Sequence, residues 1–206
     1  MAADDSRSRL RSAAVAAFAE RGFHGTTTRD IATAAGMSPA ALYVHHRSKE
    51  ELLHELSREG HEATVALIRS AVAGHDSPTE QLYALVYGFA IHHARGHTQA
   101  RVVNYELASL SPEHLAGIMA LRREIDELVR GVVDAGVANG EFDVRHPRLA
   151  AAAILSLGID IARWYRENGA WSPEEIAEAY AEIALRIVGR PRRGATRRRP
   201  RSAGTP

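Results

Sequence analysis

The chain of 206 residues has no cysteine. That excludes a disulfide framework, a thiolate zinc site and a thiol nucleophile, and it fits a reducing compartment. No uninterrupted apolar run approaches the ~20 residues that a membrane helix needs. The opening MAADDSRSRL is acidic and polar, without the apolar stretch of a secretory signal. The expectation is a cytoplasmic protein with no membrane partner. Sustained period-2 alternation is missing, as are internal repeats and long linkers. The motifs of common catalytic sites are absent too: there is no G-x-S-x-G elbow, no phosphate-binding Walker loop and no G-x-G-x-x-G. No enzyme, no cofactor and no metal are therefore expected. Histidines are the one metal-like feature. His93 and His97 have i, i+4 spacing, but Gly96 intervenes and no acid stands beside them.

The net charge of +1 hides an asymmetry. Seven arginines (Arg190, Arg192, Arg193, Arg197, Arg198, Arg199 and Arg201) fall in a Pro- and Gly-rich tail without acids, leaving residues 1–189 at about −6. With no apolar residues to bury, the tail over 190–206 is expected to be disordered. Residues 1–56 carry seven basic and seven acidic groups. Charge alone thus announces no nucleic-acid binder; the basic groups must be sorted onto one face.

What is present is helical. Ser-Pro, an N-cap followed by a residue that lacks the amide a first turn cannot use, occurs at Ser38-Pro39, Ser77-Pro78, Ser111-Pro112 and Ser172-Pro173. Glu80 and Glu175 complete capping boxes at the second and fourth. Apolar spacing predicts helices over about 5–20, 49–73, 78–95, 98–109, 112–138, 146–168 and 173–188. Arg101-Val102-Val103 has strand propensity but no partner strand, so helix is the better reading. The fold class is all-α.

The informative stretch is TTTRDIATAAGMSPAALYVHHRSK, residues 27–49. Thr27 and Asp30 make a capping box; Ile31, Ala34 and Ala35 form a buried face; Gly36 suits a left-handed helix end; Met37 plugs the gap. Ser38 and Pro39 then start a second helix, small at Ala40 and Ala41, carrying Tyr43, His45 and His46. Ser48 opens a further helix with Glu51 as its box partner. This is a helix-turn-helix, whose second helix enters the major groove of duplex DNA.

The phrase GFHGTTTRDIATAAGMSPAALYVHHRSKEELL resembles the N-terminal domain of the TetR family of bacterial repressors. The resemblance implies a three-helix DNA-binding domain (5–51), a larger helical ligand-binding and dimerisation domain (52–189), and about nine helices in all. It maps Thr27, Tyr43, His45 and Lys49 onto phosphate-contacting positions and Arg29, beside Thr28, onto one that reaches a base. Ser38, Pro39, Ala40 and Ala41 fall where the recognition helix faces bases. Capping explains Thr27 equally well, and packing is the alternative for Tyr43. The phrases VVNYELASLSPEH, LRREIDELVRGVVDAGVANGEF and WYRENGAWSPEEIAEAYAEIALRIVG resemble a subgroup that answers to acyl-coenzyme A thioesters. Tyr83, Tyr87, Asn104, Met119 and Trp164 fall on interior helices; each alone reads as ordinary core, but together they would line a ligand cavity between helices, with Arg122 near its mouth.

The expected function is a homodimeric, sequence-specific repressor that leaves a palindromic operator when a small-molecule effector binds. Two faces are expected to form the dimer: Ala150, Ala153, Ile154, Leu157, Gly158 and Ile161, then Ile176, Ala179, Tyr180, Ile183 and Ile187. The rivals are a sequence-indifferent DNA-coating protein using the Arg-rich tail and an all-α enzyme.

Overall fold

A computed structural model describes residues 2–189, with side chains from Ser6; the expected tail lies outside the described residues. Among these residues there are nine α-helices, one 3-10 turn and no strand. The helices are α1 (Ala2–Arg21), α2 (Thr28–Ala34), α3 (Pro39–His45), α4 (Lys49–Ala73), α5 (Pro78–Arg95), α6 (His97–Tyr105), α7 (Pro112–Ala138), α8 (Pro147–Trp164) and α9 (Pro173–Val188).

The caps do what the sequence predicts. Each Ser-Pro serine accepts from the third helical amide: Ala41 at 3.2 Å, Glu80 at 3.2 Å, His114 at 3.3 Å and Glu175 at 3.2 Å. Each such cap contributes about 1 kcal/mol. Ser48 is a half box: it accepts from the Glu51 amide, but the Glu51 carboxylate takes the amide of Arg47 instead. At the end of α2, Met37 N–H donates to Ala32 O (2.8 Å) and Gly36 N–H to Thr33 O (3.0 Å). That paired closure needs a left-handed residue, and Gly36 supplies it at φ 67°.

Two expected helices are shorter. The one over 98–109 stops at Tyr105 and tightens into a 3-10 turn at Leu107–Ser109. The tightening brings Leu110 into the core and leaves Ser111 free to cap α7. The one over 146–168 stops at Trp164, because Tyr165 turns extended and buries its ring against His97, 5.3 Å between centroids.

The core has two main parts. Leu10, Phe18, Ile31, Leu42, Leu52, Leu53 and Leu56 join α1–α3 to the first third of α4, and Val102, Val103, Leu110 and Ile118 close that cluster from α6 and α7. Val65 and Ile68, further along α4, pack with Leu82, Leu85, Val129, Val133, Ala151 and Ala184 of α5 and α7–α9. The expected boundary at 51/52 therefore falls inside a helix shared by both clusters.

Glycines give a signed test of this packing. An added Cβ at Gly158 in α8 would meet the Phe89 ring at 2.4 Å, whereas at Gly131 in α7 nothing lies within 4 Å. Gly158→Ala should destabilise by about 1–3 kcal/mol. Gly131→Ala should stabilise by roughly 0.5–1 kcal/mol, since it only removes helical backbone freedom. Urea unfolding of both variants checks the pair, and a common sign would refute the packing at one site.

Candidate functional site

Two features stand above the ordinary core: the outer surface of α2 and α3, and a cavity in the middle of the body.

On the surface, Thr27, Arg29, Ser38, Pro39, Ala40, Tyr43 and Arg47 are exposed, while Thr28, Ala41, His45 and Lys49 are half-buried. Thr27 is engaged as a cap. Its hydroxyl donates to Asp30 Oδ2 (2.7 Å) and accepts from the Asp30 amide (3.2 Å). Tyr43 lies between the two readings of its role: 54% of it is exposed, yet its hydroxyl sits 3.2 Å from Thr28 Oγ1 and ties α3 to α2. Lys49 is more structural than its sequence position suggests. Its ammonium donates to Phe23 O (2.7 Å) and Thr26 O (2.8 Å) and lies over the Phe23 ring, so one N–H remains for any other acceptor. His46 faces inward, buried with Nδ1 3.3 Å from Glu55. The sequence reading missed Val44, the most exposed apolar residue here at 80%. Its place next to Tyr43 on a two-turn helix was the available signal.

The charges are sorted. Arg7 pairs with Glu55 at 3.1 Å and Arg11 with Glu59, both on α4. Among the described residues Arg29 and Arg47, beside the recognition helix, make no ion pair. A short exposed helix with a small N-terminal end, flanked by two free cations, is what duplex DNA requires.

The cavity has a volume of about 460 Å³ and is walled by α1 and α4–α8. Phe89, Val103, Ile125, Leu155 and Ile159 supply its apolar surface; Thr64, His61, His93, Asn104 and Arg122 supply polar groups. Of the expected ligand residues, Asn104 and Arg122 line it. Tyr83 and Tyr87 stack on each other, 6.2 Å between centroids, and pack into the core on another face of α5. Met119 and Trp164 are on the outer surface, 41% and 36% exposed. The face of α5 that meets the cavity carries Phe89, His92 and His93, continued by Gly96 at its C-cap. Their i, i+3, i+4, i+7 spacing was legible, but nothing in the sequence said which face looked inward. Arg122 is half-buried in the wall, donating to Asn104 Oδ1 (3.0 Å) and His61 Nε2 (3.3 Å).

His93 and His97, whose spacing alone resembled a metal pair, are on different helices and face different carbonyls, His93 Nδ1 meeting Phe89 O (2.9 Å) and His97 Nδ1 meeting Ala94 O (3.2 Å). No group of three potential ligands clusters among the described residues.

At the joint between surface and cavity, the Glu50 carboxylate accepts from the Ser111 amide (2.8 Å) and from His114 Nδ1 (2.8 Å). His114 stacks on His54 with centroids 3.8 Å apart. Burial alone would raise the Glu50 pKa, but the bonds from Ser111 and His114 outweigh it and hold the group below its ordinary value. The foot of α4 is thereby clamped to the start of α7.

The comparisons decide what such an arrangement is. Residues 10–56 match the family model described as bacterial regulatory proteins, tetR family, and residues 75–188 match the tetracyclin repressor-like C-terminal domain. The chain belongs to the TetR family. It is 33% identical to the HTH-type transcriptional repressor KstR2 of Rhodococcus jostii (strain RHA1), over 87% of this chain and 89% of that protein. A solved tetR-family regulatory protein from Rhodococcus RHA1 superposes with a TM-score of 0.85 at 40% identity, covering 90% of this chain and 97% of that one. AibR, solved with isovaleryl coenzyme A and operator DNA, superposes with a TM-score of 0.78 at 26% identity, covering 87% and 97%. This TetR-family chain is therefore a DNA-binding transcriptional regulator and not an enzyme. No helix among its described residues is long and apolar enough to cross a membrane.

Acid stability reports on the cavity wall. Burial pushes the His93 imidazole down to about 4 from the ordinary 6.5. Between those values the unfolded chain binds the extra proton, so the folded state loses up to ~1.4 kcal/mol per pH unit through this one group as pH falls. His93→Asn keeps a donor for Phe89 O but cannot titrate. Its stability should decline less steeply than the parent's between pH 6.5 and 4.5 in urea titrations; parallel declines would place His93 in water.

Proposed function

We propose that this regulator is a homodimeric repressor that acts in the cytoplasm on a palindromic operator and is released by an acyl-coenzyme A type effector. The observation that carries the reading is that the cavity is walled by the same helix, α4, whose first third packs into the DNA-binding core. An effector there acts directly on the support of the recognition helix.

In this reading Ser38, Pro39, Ala40 and Ala41 face bases, with Val44 adding a methyl contact. Thr28 and Arg29 read from α2, Arg29 suiting a bidentate bond to guanine. Thr27, Tyr43, His45 and the remaining N–H of Lys49 face phosphates. The effector's acyl chain lies against Phe89, Val103, Ile125, Leu155 and Ile159, with Asn104 and Arg122 as polar partners. The solved AibR complex supports the thioester class.

The second copy docks on α8 and α9. The two expected faces divide in the structure: Ala150, Ile154, Gly158, Ile161 and Ile176 are buried within the chain, and Tyr180 and Ile187 are half-buried. Left outward are Leu149 (68% exposed), Ala153, Leu157 (41%) and Trp164 (36%) on α8 with Ala179 and Ile183 (38%) on α9. Their spacing puts them on one stripe, which a two-fold copy would cover.

Three measurements test the reading. In gel-shift titrations Arg29→Ala should relax preference at one base position, whereas Tyr43→Phe should weaken all sequences alike. Leu157→Glu should give a folded monomer by light scattering; an unchanged dimer mass would move the interface elsewhere. Octanoyl-CoA at a hundredfold excess over its dissociation constant should stabilise the protein by about 2.7 kcal/mol and release operator DNA. If thioesters of varied chain length do neither, the effector class is wrong.

A further inference from the structure

Arg122 is a cation on the cavity wall with no anion of its own. Among the described residues it forms no ion pair, and its two partners are neutral: Asn104 Oδ1 at 3.0 Å and His61 Nε2 at 3.3 Å. Both partners are fixed. Asn104 Nδ2 donates to Ala100 O (2.8 Å), which aims its carbonyl oxygen at the guanidinium. His61 Nδ1 donates to Ser57 O (2.7 Å), which leaves Nε2 as an acceptor. Burial, with Arg122 adding to it, holds the His61 pKa below its ordinary value and keeps the ring neutral. Both bonds use Nη1. A guanidinium has five N–H groups, so the Nε–Nη2 edge, the one that meets a carboxylate through two parallel bonds, has no protein acceptor among the described residues.

The other charges on the wall do not fill that role. Glu59 is bound to Arg11, and Asp126, one turn beyond Arg122 on α7, makes no ion pair with it. With two arginines and two acids the lining is neutral overall, so Arg122 offers a place for one anionic group inside the cavity, and the phosphates of a coenzyme A would lie outside it. Phe89, Val103, Ile125, Leu155 and Ile159 share the cavity with Arg122. A half-buried cation left without a counter-ion is costly to the folded protein unless something completes it.

We infer that the effector carries a carboxylate inside the cavity, held by the free edge of Arg122, with an aliphatic or alicyclic body against Phe89, Val103, Ile125, Leu155 and Ile159. The inference rests on reading this cavity as the effector site. Two sources fit the chemistry: a free fatty acid, or a coenzyme A thioester whose acyl part bears a second, terminal carboxylate. In either case the arginine sets specificity, because a ligand without the carboxylate leaves it desolvated and unpaired.

The test is isothermal titration of the full chain with two matched pairs: octanoate against octan-1-ol, and the coenzyme A monothioester of octanedioic acid against octanoyl-CoA. The carboxylate-bearing member of at least one pair should bind roughly ten- to a hundredfold more tightly, the range of a charge-assisted hydrogen bond pair. Which pair shows it identifies the source. Arg122→Gln should abolish the preference. Asn104→Asp should do so too, by placing an internal carboxylate beside the arginine without changing side-chain size. Equal affinities within both pairs, a preference that survives in both variants, or failure of both carboxylate-bearing probes to bind would overturn the inference. Operator release by octanoyl-CoA without a carboxylate preference would sink the inference and keep the thioester reading. A strong octanoate preference with no response to either thioester would do the reverse.

Discussion

The structure depends on the apolar stripe of α4 being buried in two places at once. Leu52, Leu53 and Leu56 lie in the DNA-binding core, and Val65 and Ile68 lie in the core of the body. Each such side chain contributes about 1.5–3 kcal/mol by leaving water, so neither end of the helix is free to detach. Between the two ends Glu59, Gly60, His61, Ala63 and Thr64 line the cavity. What fills the cavity therefore touches this helix between its two anchors. The Glu50 clamp to Ser111 and His114 adds a second tie. Coupling energies of ~1–3 kcal/mol between effector and operator are small beside these terms, so a modest tilt suffices and no unfolding is needed.

The same geometry accounts for the weak overall charge. A regulator with a net charge of +1 still presents phosphate-ready groups, because several cations away from the reading surface are neutralised locally. Arg7 and Arg11 are held by Glu55 and Glu59, and Arg58 by Glu62. Arg29 and Arg47 stay unpaired beside α3. Sorting by side-chain pairing, and not by composition, makes the basic face.

Local chemistry was legible in the sequence, and relations between helices were not. Six serine or threonine caps and the Gly36 closure could be read because each depends on residues within five positions of one another. The helix-turn-helix is built almost wholly from such signals, so its helices matched, although Ala32 and not Ala34 is buried with Ile31 and Ala35. Tyr83 and Tyr87 show the limit: aromatic and regularly spaced, they stack into the core because of how α5 is rotated against α9, which no local pattern encodes. Lys49 shows another. Its place in the motif points outward, but the carbonyls of Phe23 and Thr26, more than twenty residues earlier, draw most of its hydrogen bonds inward. The division of the α8 and α9 faces follows from the same cause, because a small-and-apolar stripe does not say how much of it the chain itself will cover. Arg122 was noticed as a cation near a ligand, but that it forms no ion pair among the described residues emerges only when α4, α6 and α7 are assembled.

The central claim is that filling the cavity moves the recognition helices through α4. Because the chain has no native cysteine, Thr33→Cys, exposed on α2 and outside the proposed DNA contacts, gives a single spin-label site beside the recognition helix in each subunit of a dimer, and pulsed electron spectroscopy measures the distance between the two labels. With operator duplex bound, the recognition helices should sit about 34–36 Å apart, one turn of DNA. Without DNA, a saturating acyl thioester that releases the operator should shift the label distance distribution away from the operator-bound one by several ångströms. If that thioester releases the operator while the distribution stays on the operator-bound value, the effector does not work through α4.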